Sequence, residues 1–68
     1  MMNVGDLVRD ARFQYRHEIG VIMRIHFQKS RRASYDETEV ITVLWSNGSF
    51  AGETTEETRE DIQLMEQN

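Results

Sequence analysis

"VITVLWSNGSF", residues 40–50, decides how this chain folds. Val40–Trp45 is an apolar, largely β-branched run broken only by Thr42, and as a strand it would turn its alternate residues to one face. Ser46-Asn47-Gly48-Ser49 follows at once. Asn-Gly between two β-like runs is a strong hairpin signal, because both residues tolerate the positive φ of a type I′ turn. The stretch therefore predicts a central strand, a tight turn at Asn47-Gly48, and "SFAGET", residues 49–54, as the returning strand. It also poses a question. The only Trp of the chain stands directly before the turn, where it either plugs the end of a small barrel or offers a flat surface to a partner.

Working outward, "VIMRIHF", residues 21–27, is the preceding strand; its alternation groups Val21, Met23, Ile25 and Phe27 on one face, against Ile22, Arg24 and His26. Gly5-Asp6 before "LVR" marks a turn into a first short strand. Between them "DARFQYRHEIG", residues 10–20, reads as a long irregular hairpin loop. "QKSRRASYDETE", residues 28–39, has no apolar periodicity and reads as a long flexible loop, and a connection of that length in so small a domain hints at function. Gly52 fits a bulge or sharp bend. "TTEETREDI" is too short and too polar for a stable helix and reads as a loop ending in a 3₁₀ turn at Glu60-Asp61-Ile62. "IQLM" then alternates as a closing strand. The expected core is Val4, Leu7, Val21, Met23, Ile25, Ile41, Val43, Trp45 or Leu44, Ile62 and Leu64.

Sixty-eight residues make a single domain, 1–68, near the lower size limit for folding without staples. Cys is absent, which removes disulfides, thiolate metal sites and thiol nucleophiles. "MMNVGDLVRD" shows no signal peptide, and the apolar runs are too short to span a bilayer, so a cytoplasmic chain is expected. Charge is uneven: residues 1–32 carry +4 and residues 33–68 carry −8, for a net −4. Such asymmetry either marks a nucleic-acid or acidic-partner surface on the basic half, or is neutralised across strands once the halves fold together.

The segments "VGDLVR", "IGVIMRI", "VITVLWSNGS" and "EDIQLM", in that order, resemble the small SH3-like barrels of the KOW and Tudor type. The resemblance is nearest to the standalone barrels of about this length in tailed bacteriophages, including cyanophages. It covers most of the chain apart from residues 28–39 and 51–58. It implies an all-β fold, a five-stranded SH3-like barrel with a short 3₁₀ turn before the last strand. For function it implies a binding module, since the fold hosts many binding roles. Tudor-type barrels hold methylated Lys or Arg in an aromatic cage by cation–π attraction, and Tyr15, Trp45 and Phe50 are the residues here that would contribute to one. A full cage needs further aromatic walls and a carboxylate.

The remaining clusters point less sharply. Arg24, His26, Lys29, Arg31 and Arg32 form a basic strip with Phe27 and Tyr35 interleaved, a pattern able to contact nucleic-acid backbone and stack on bases. The competing reading is a solvated strand face and loop, compensated by Asp36, Glu37 and Glu39, and a sequence pI near 5 disfavours tight non-specific binding. "RRAS" fits a basophilic kinase site at Ser34 but is a common pattern, and the "NGS" sequon at 47–49 is explained by the turn. Glu53, Glu56, Glu57, Glu60 and Asp61 lack the order of a Ca²⁺ loop and read as a solvated acidic face. His17 and His26 have no accompanying metal-type ligands. No nucleophile–base spacing, phosphate-cradling glycine loop or cleft for paired carboxylates is visible. The expectation is therefore a non-enzymatic protein-binding or assembly module without metal or cofactor: a phage accessory protein, virion-associated or in the host cytoplasm. Its docking groups would be Tyr15, Phe27, Tyr35, Trp45 and Phe50, with strand addition at exposed edges as a second means. Self-association would compensate a small core. A nucleic-acid-binding regulator using Arg24–Arg32 is the alternative.

Overall fold

The alternation in "VITVLW" turns Ile41, Val43 and Trp45 to one side, and in the computed structural model, which describes residues 2–29 and 37–65, these three are buried. They belong to β3 (Glu37–Trp45). The other strands are β1 (Leu7–Asp10), β2 (Ile19–Lys29), β4 (Thr54–Glu57) and β5 (Ile62–Leu64), with 3₁₀ turns at Phe13–Tyr15 and Arg59–Asp61. All neighbours are antiparallel, and the sheet order is β4-β3-β2-β1-β5. Four strands meander, and the last crosses over to pair with the first. This is the connectivity of an SH3-like barrel, with the expected 3₁₀ turn before the closing strand and no long helix over residues 53–65. That turn lies one residue earlier than its expected position. The Ala11 N–H donates to the Asp61 carbonyl at 2.9 Å, tying the end of β1 to the 3₁₀ turn.

The core is Val8, Ile22, Ile41, Val43, Trp45 and Ile62, with Met2, Ile25 and Leu64 packed against it. This corrects the expected face of β2. Ile22 is fully buried, whereas Met23 is 50 % exposed and Val21 half-buried. The register explains why: Ile22 pairs with Val43 but Arg24 pairs with Thr42, so Met23 is an extra, bulged residue. Before the bulge Gly20 and Ile22 point inward; after it the phase flips and Ile25 does. A bulge also sharpens strand twist, which helps roll a five-stranded sheet into a barrel. Val8 replaces Leu7 and Val4 as the inward residue near the N-terminus; Leu7 instead pairs with Val21, and Val21 with Leu44, as an apolar row on the outer face.

Two loop expectations also change. β2 continues to Lys29 and β3 begins at Glu37, with Gln28 opposite Thr38 and Lys29 opposite Glu37; residues 28, 29 and 37–39 are therefore strand rather than loop, and 30–36 lie outside the described residues. At the other end of β3, Asn47-Gly48 does not form a type I′ turn. Gly48 has φ 82° and Gly52 φ 81°, but among the described residues no non-glycine residue has positive φ. Ser46–Glu53 is a wider loop, and the Gly52 N–H returns to the Trp45 carbonyl at 2.8 Å. The returning strand is thus Thr54–Glu57 rather than "SFAGET", in a segment read from sequence as loop.

Gly20 sets how closely β2 and β3 approach. A Cβ there would stand 2.5 Å from Val43 Cγ1 and 2.8 Å from the Leu44 carbonyl oxygen. Only glycine fits.

Candidate functional site

The loop after β1 and the loop after β3 meet at one end of the barrel. Ser46 N–H and Oγ both donate to the Ile19 carbonyl at 2.8 Å. The Asn47 carboxamide Oδ1 accepts the Ile19 N–H at 2.8 Å, while Nδ2 donates to the His17 carbonyl at 3.0 Å. The side chain that signalled a turn instead joins the two loops. Gly48 completes the contact. Its φ of 82° favours glycine, and a Cβ at that position would fall 2.5 Å from Glu18 Cδ, so the loop closes tightly over the Glu18 side chain.

Between these loops lies a half-open groove of about 160 Å³ lined by Asp10, Arg12, Tyr15, Glu18, Trp45, Ser49, Phe50 and Glu57. Tyr15, Trp45 and Phe50, the aromatic trio picked out in the sequence, are thus brought together. Their exposures differ, and the difference answers the question about Trp45. At 3 % exposed it plugs the barrel and forms the groove floor, whereas Tyr15 (38 %) and Phe50 (49 %) present ring surface to solvent. Trp45 is anchored by its indole N–H, which donates to Thr55 Oγ1 at 2.7 Å; Thr55 in turn donates to Glu57 Oε2 at 2.6 Å. This relay fixes the Glu57 carboxylate at the groove on β4.

Asp10 is almost fully buried, at 3 % exposure, yet its carboxylate is well satisfied. Arg12 donates to it from the backbone N–H (2.9 Å), from Nε (3.0 Å) and from Nη2 (2.7 Å). Those side-chain hydrogen bonds hold the Asp10 carboxyl below its usual range, against the opposing effect of burial, and Asp10 raises the Arg12 guanidinium in return. The guanidinium carbon also lies 5.2 Å from the centre of the Tyr15 ring, within cation–π range. Three carboxylates and one guanidinium line the groove, so its formal charge is −2.

The other residues singled out in the sequence stand elsewhere. Phe27 is 62 % exposed on the far part of the β2–β3 ribbon, opposite Glu39, and does not reach the groove. Glu39 in turn holds Arg59 through two 2.8 Å hydrogen bonds, which lower the carboxyl and raise the guanidinium. The basic strip does not share one face. Arg24 and His26, opposite Thr42 and Val40, alternate to the outer side, while Lys29 falls on the other side, opposite Glu37. Tyr35, Arg31, Arg32 and Ser34 lie outside the described residues. Among the described residues no group of His, Cys, Asp and Glu is arranged to hold a metal ion, and no helix is long and apolar enough to cross a membrane.

Sequence reasoning missed Asp10, Arg12 and Glu18; it read Asn47 only as a turn residue and Glu57 only as part of a solvated acidic face. Glu57 had a signal, since Thr55 and Glu57 alternate to one side of a four-residue strand. Asp10 and Arg12 had a weaker one, an acid and a base two apart at the end of a strand. Comparison with protein-family models, curated proteins and solved structures returns no match to this chain. The geometry of the groove therefore carries the functional reading.

Proposed function

We propose that this chain is a non-enzymatic protein-binding module that takes a cationic side chain of its partner into the groove between the β1–β2 and β3–β4 loops. The observation that carries this reading is the convergence of Tyr15, Trp45 and Phe50 with Asp10, Glu18 and Glu57 on one small concavity of formal charge −2. Aromatic faces and carboxylates together favour a cation, at roughly 0.5–1 kcal/mol for each exposed cation–π contact. A groove of about 160 Å³ is well below the roughly 300–1,000 Å³ of small-molecule sites and suits a single side chain. The resemblance to standalone phage barrels supports a role as a phage accessory protein, attached to a virion component or to a host factor in the cytoplasm.

Capture from host lysate and from purified virions tests this, comparing the native chain with a Tyr15→Ala/Phe50→Ala variant. Both side chains are substantially exposed, so the fold tolerates their loss. A protein retained by the native chain and lost by the variant supports the reading. A partner retained equally by both refutes it. So does nucleic acid bound with a steep salt dependence that disappears in Arg31→Ala/Arg32→Ala, which would favour the regulator role instead.

A further inference from the structure

The chain already seats a cation in the groove. Arg12 forks onto Asp10 through Nε and Nη2, covers the Tyr15 ring at 5.2 Å, and is locked by its own backbone N–H on the same carboxylate. An incoming cation that sought Asp10 would have to replace a two-pronged partner only two residues away in the chain. Such an intramolecular, bidentate pair on a buried carboxylate is hard to displace. The charge of Asp10 is therefore met from within, and the groove's net −2 resides on Glu18 and Glu57. Glu18 is 7 % exposed beneath Gly48. Glu57 is half-buried at the groove and held through one oxygen by Thr55.

We infer that Arg12 is the specificity-determining residue of the groove: a fixed internal cation that closes Asp10 and the Tyr15 face, so that a partner's single cationic side chain is received by Glu57 against Phe50. This rests on the groove being the docking site, as proposed above. The same arrangement makes the site selective, because a second cation, or an arginine flanked by further basic residues, would meet Arg12 and be repelled.

The test is an NMR titration of the ¹⁵N-labelled full chain with the probe peptide acetyl-Gly-Ser-Arg-Ser-Gly-amide, and with the same peptide carrying Gln in place of Arg. In the native chain the arginine peptide shifts groove amides and the Gln peptide does not. The Arg12 Nε–H resonance keeps its hydrogen-bonded position at saturation. Arg12→Gln tightens binding roughly three- to fivefold and Glu57→Gln weakens it roughly fivefold, the range of an exposed charge pair. Displacement of the Arg12 Nε–H resonance on binding overturns the inference, and that readout needs no variant. Weaker binding by Arg12→Gln, which would make Arg12 a ligand contact, or unchanged binding by a folded Glu57→Gln, overturns it too while leaving the groove as the docking site. If the peptide shifts no groove amide in the native chain or in Arg12→Gln, the functional reading itself falls and takes this one with it.

Discussion

Gly20→Ala perturbs the barrel at its tightest point. The added methyl would stand 2.5 Å from Val43 Cγ1, 2.8 Å from the Leu44 carbonyl oxygen and 3.1 Å from Trp45 Cε3, where carbon–carbon contacts relax to about 3.5–4.0 Å. Val43 is β-branched and fully buried, so its methyl has little rotameric escape. The Leu44 carbonyl belongs to the backbone of the β2–β3 ladder, where Leu44 pairs with Val21, and cannot retreat without opening it. Overpacking of this kind costs about 1–3 kcal/mol, and two contacts below 3 Å place it at the upper end. Alanine's smaller unfolded-state entropy returns roughly 0.5–1 kcal/mol, leaving a net loss of about 2 kcal/mol. A chain of this length holds about 3–10 kcal/mol in all, so the variant folds but tolerates less denaturant. With a urea slope of roughly 1 kcal/mol/M, the midpoint should fall by about 2 M at unchanged slope. A Val43→Ala background should reduce the increment, because it removes one of the clashing atoms but not the carbonyl. A midpoint shift below about 0.5 M, or no coupling to Val43, would refute the packing described for β2 and β3.

The bulge makes Ile22 and Met23 neighbours with opposite fates: Ile22→Ala should cost about 2–5 kcal/mol and Met23→Ala under about 0.5 kcal/mol in urea unfolding, and the reverse ranking would place the bulge elsewhere. Asn47→Ala removes both side-chain bonds between the loops, at about 1–2 kcal/mol for two partly solvated hydrogen bonds; hydrogen exchange should accelerate at the Ile19 amide and stay unchanged at Ile41. Asp10 has its carboxyl depressed in the folded state, so its stabilisation is complete above the unfolded value of about 3.9 and is lost as pH falls through the folded one. The stability gap between the native chain and Asp10→Asn should accordingly be constant from pH 7 to about 5 and close towards pH 2.5, and an equal gap at both extremes would show that Arg12 does not act on the Asp10 carboxylate.

The sequence was most legible where one physical cause acted alone. In β3 alternation, β-branching and burial all agree, and Ile41, Val43 and Trp45 lie inward as their period requires. In β2 the period misleads. "VIMRIHF" reads as one continuous alternation, and nothing local marks Met23 as an extra residue; the bulge follows from matching this strand to β3 while the barrel closes. A one-residue slip exchanges the two faces, so the error moved Ile22 outward and Met23 inward together. The 3₁₀ turn and β5 were readable, because a short polar turn followed by "IQL" leaves few alternatives. β4 was not. Its sequence, Thr-Thr-Glu-Glu, has no apolar residue to show a period, and the side chains of Thr55 and Glu57 are held by the hydrogen bonds from Trp45 to Thr55 and from Thr55 to Glu57 rather than by burial of hydrocarbon.

The candidate site follows the same division. Its aromatic members were visible because Tyr15, Trp45 and Phe50 are scarce residue types in suggestive places. Its acidic members were hidden, because in a chain with twelve Asp and Glu residues a carboxylate becomes distinctive only through what holds it. Asp10 is set apart by the Arg12 fork, Glu18 by the glycine that allows a loop to cover it, and Glu57 by a hydrogen-bond relay that begins at the buried indole. The last of these ties the two answers about Trp45 together. Its ring fills the barrel, and its N–H, through Thr55, orients Glu57, the least buried of the three groove carboxylates. Thr55→Val, close in volume but lacking the hydroxyl, should therefore separate the roles: the indole N–H loses its acceptor and stability falls by about 1–2 kcal/mol, while Glu57 loses its tether and the groove its fixed charge. If Thr55→Val lowers stability yet leaves arginine-peptide affinity unchanged, the core does not position the site through this relay.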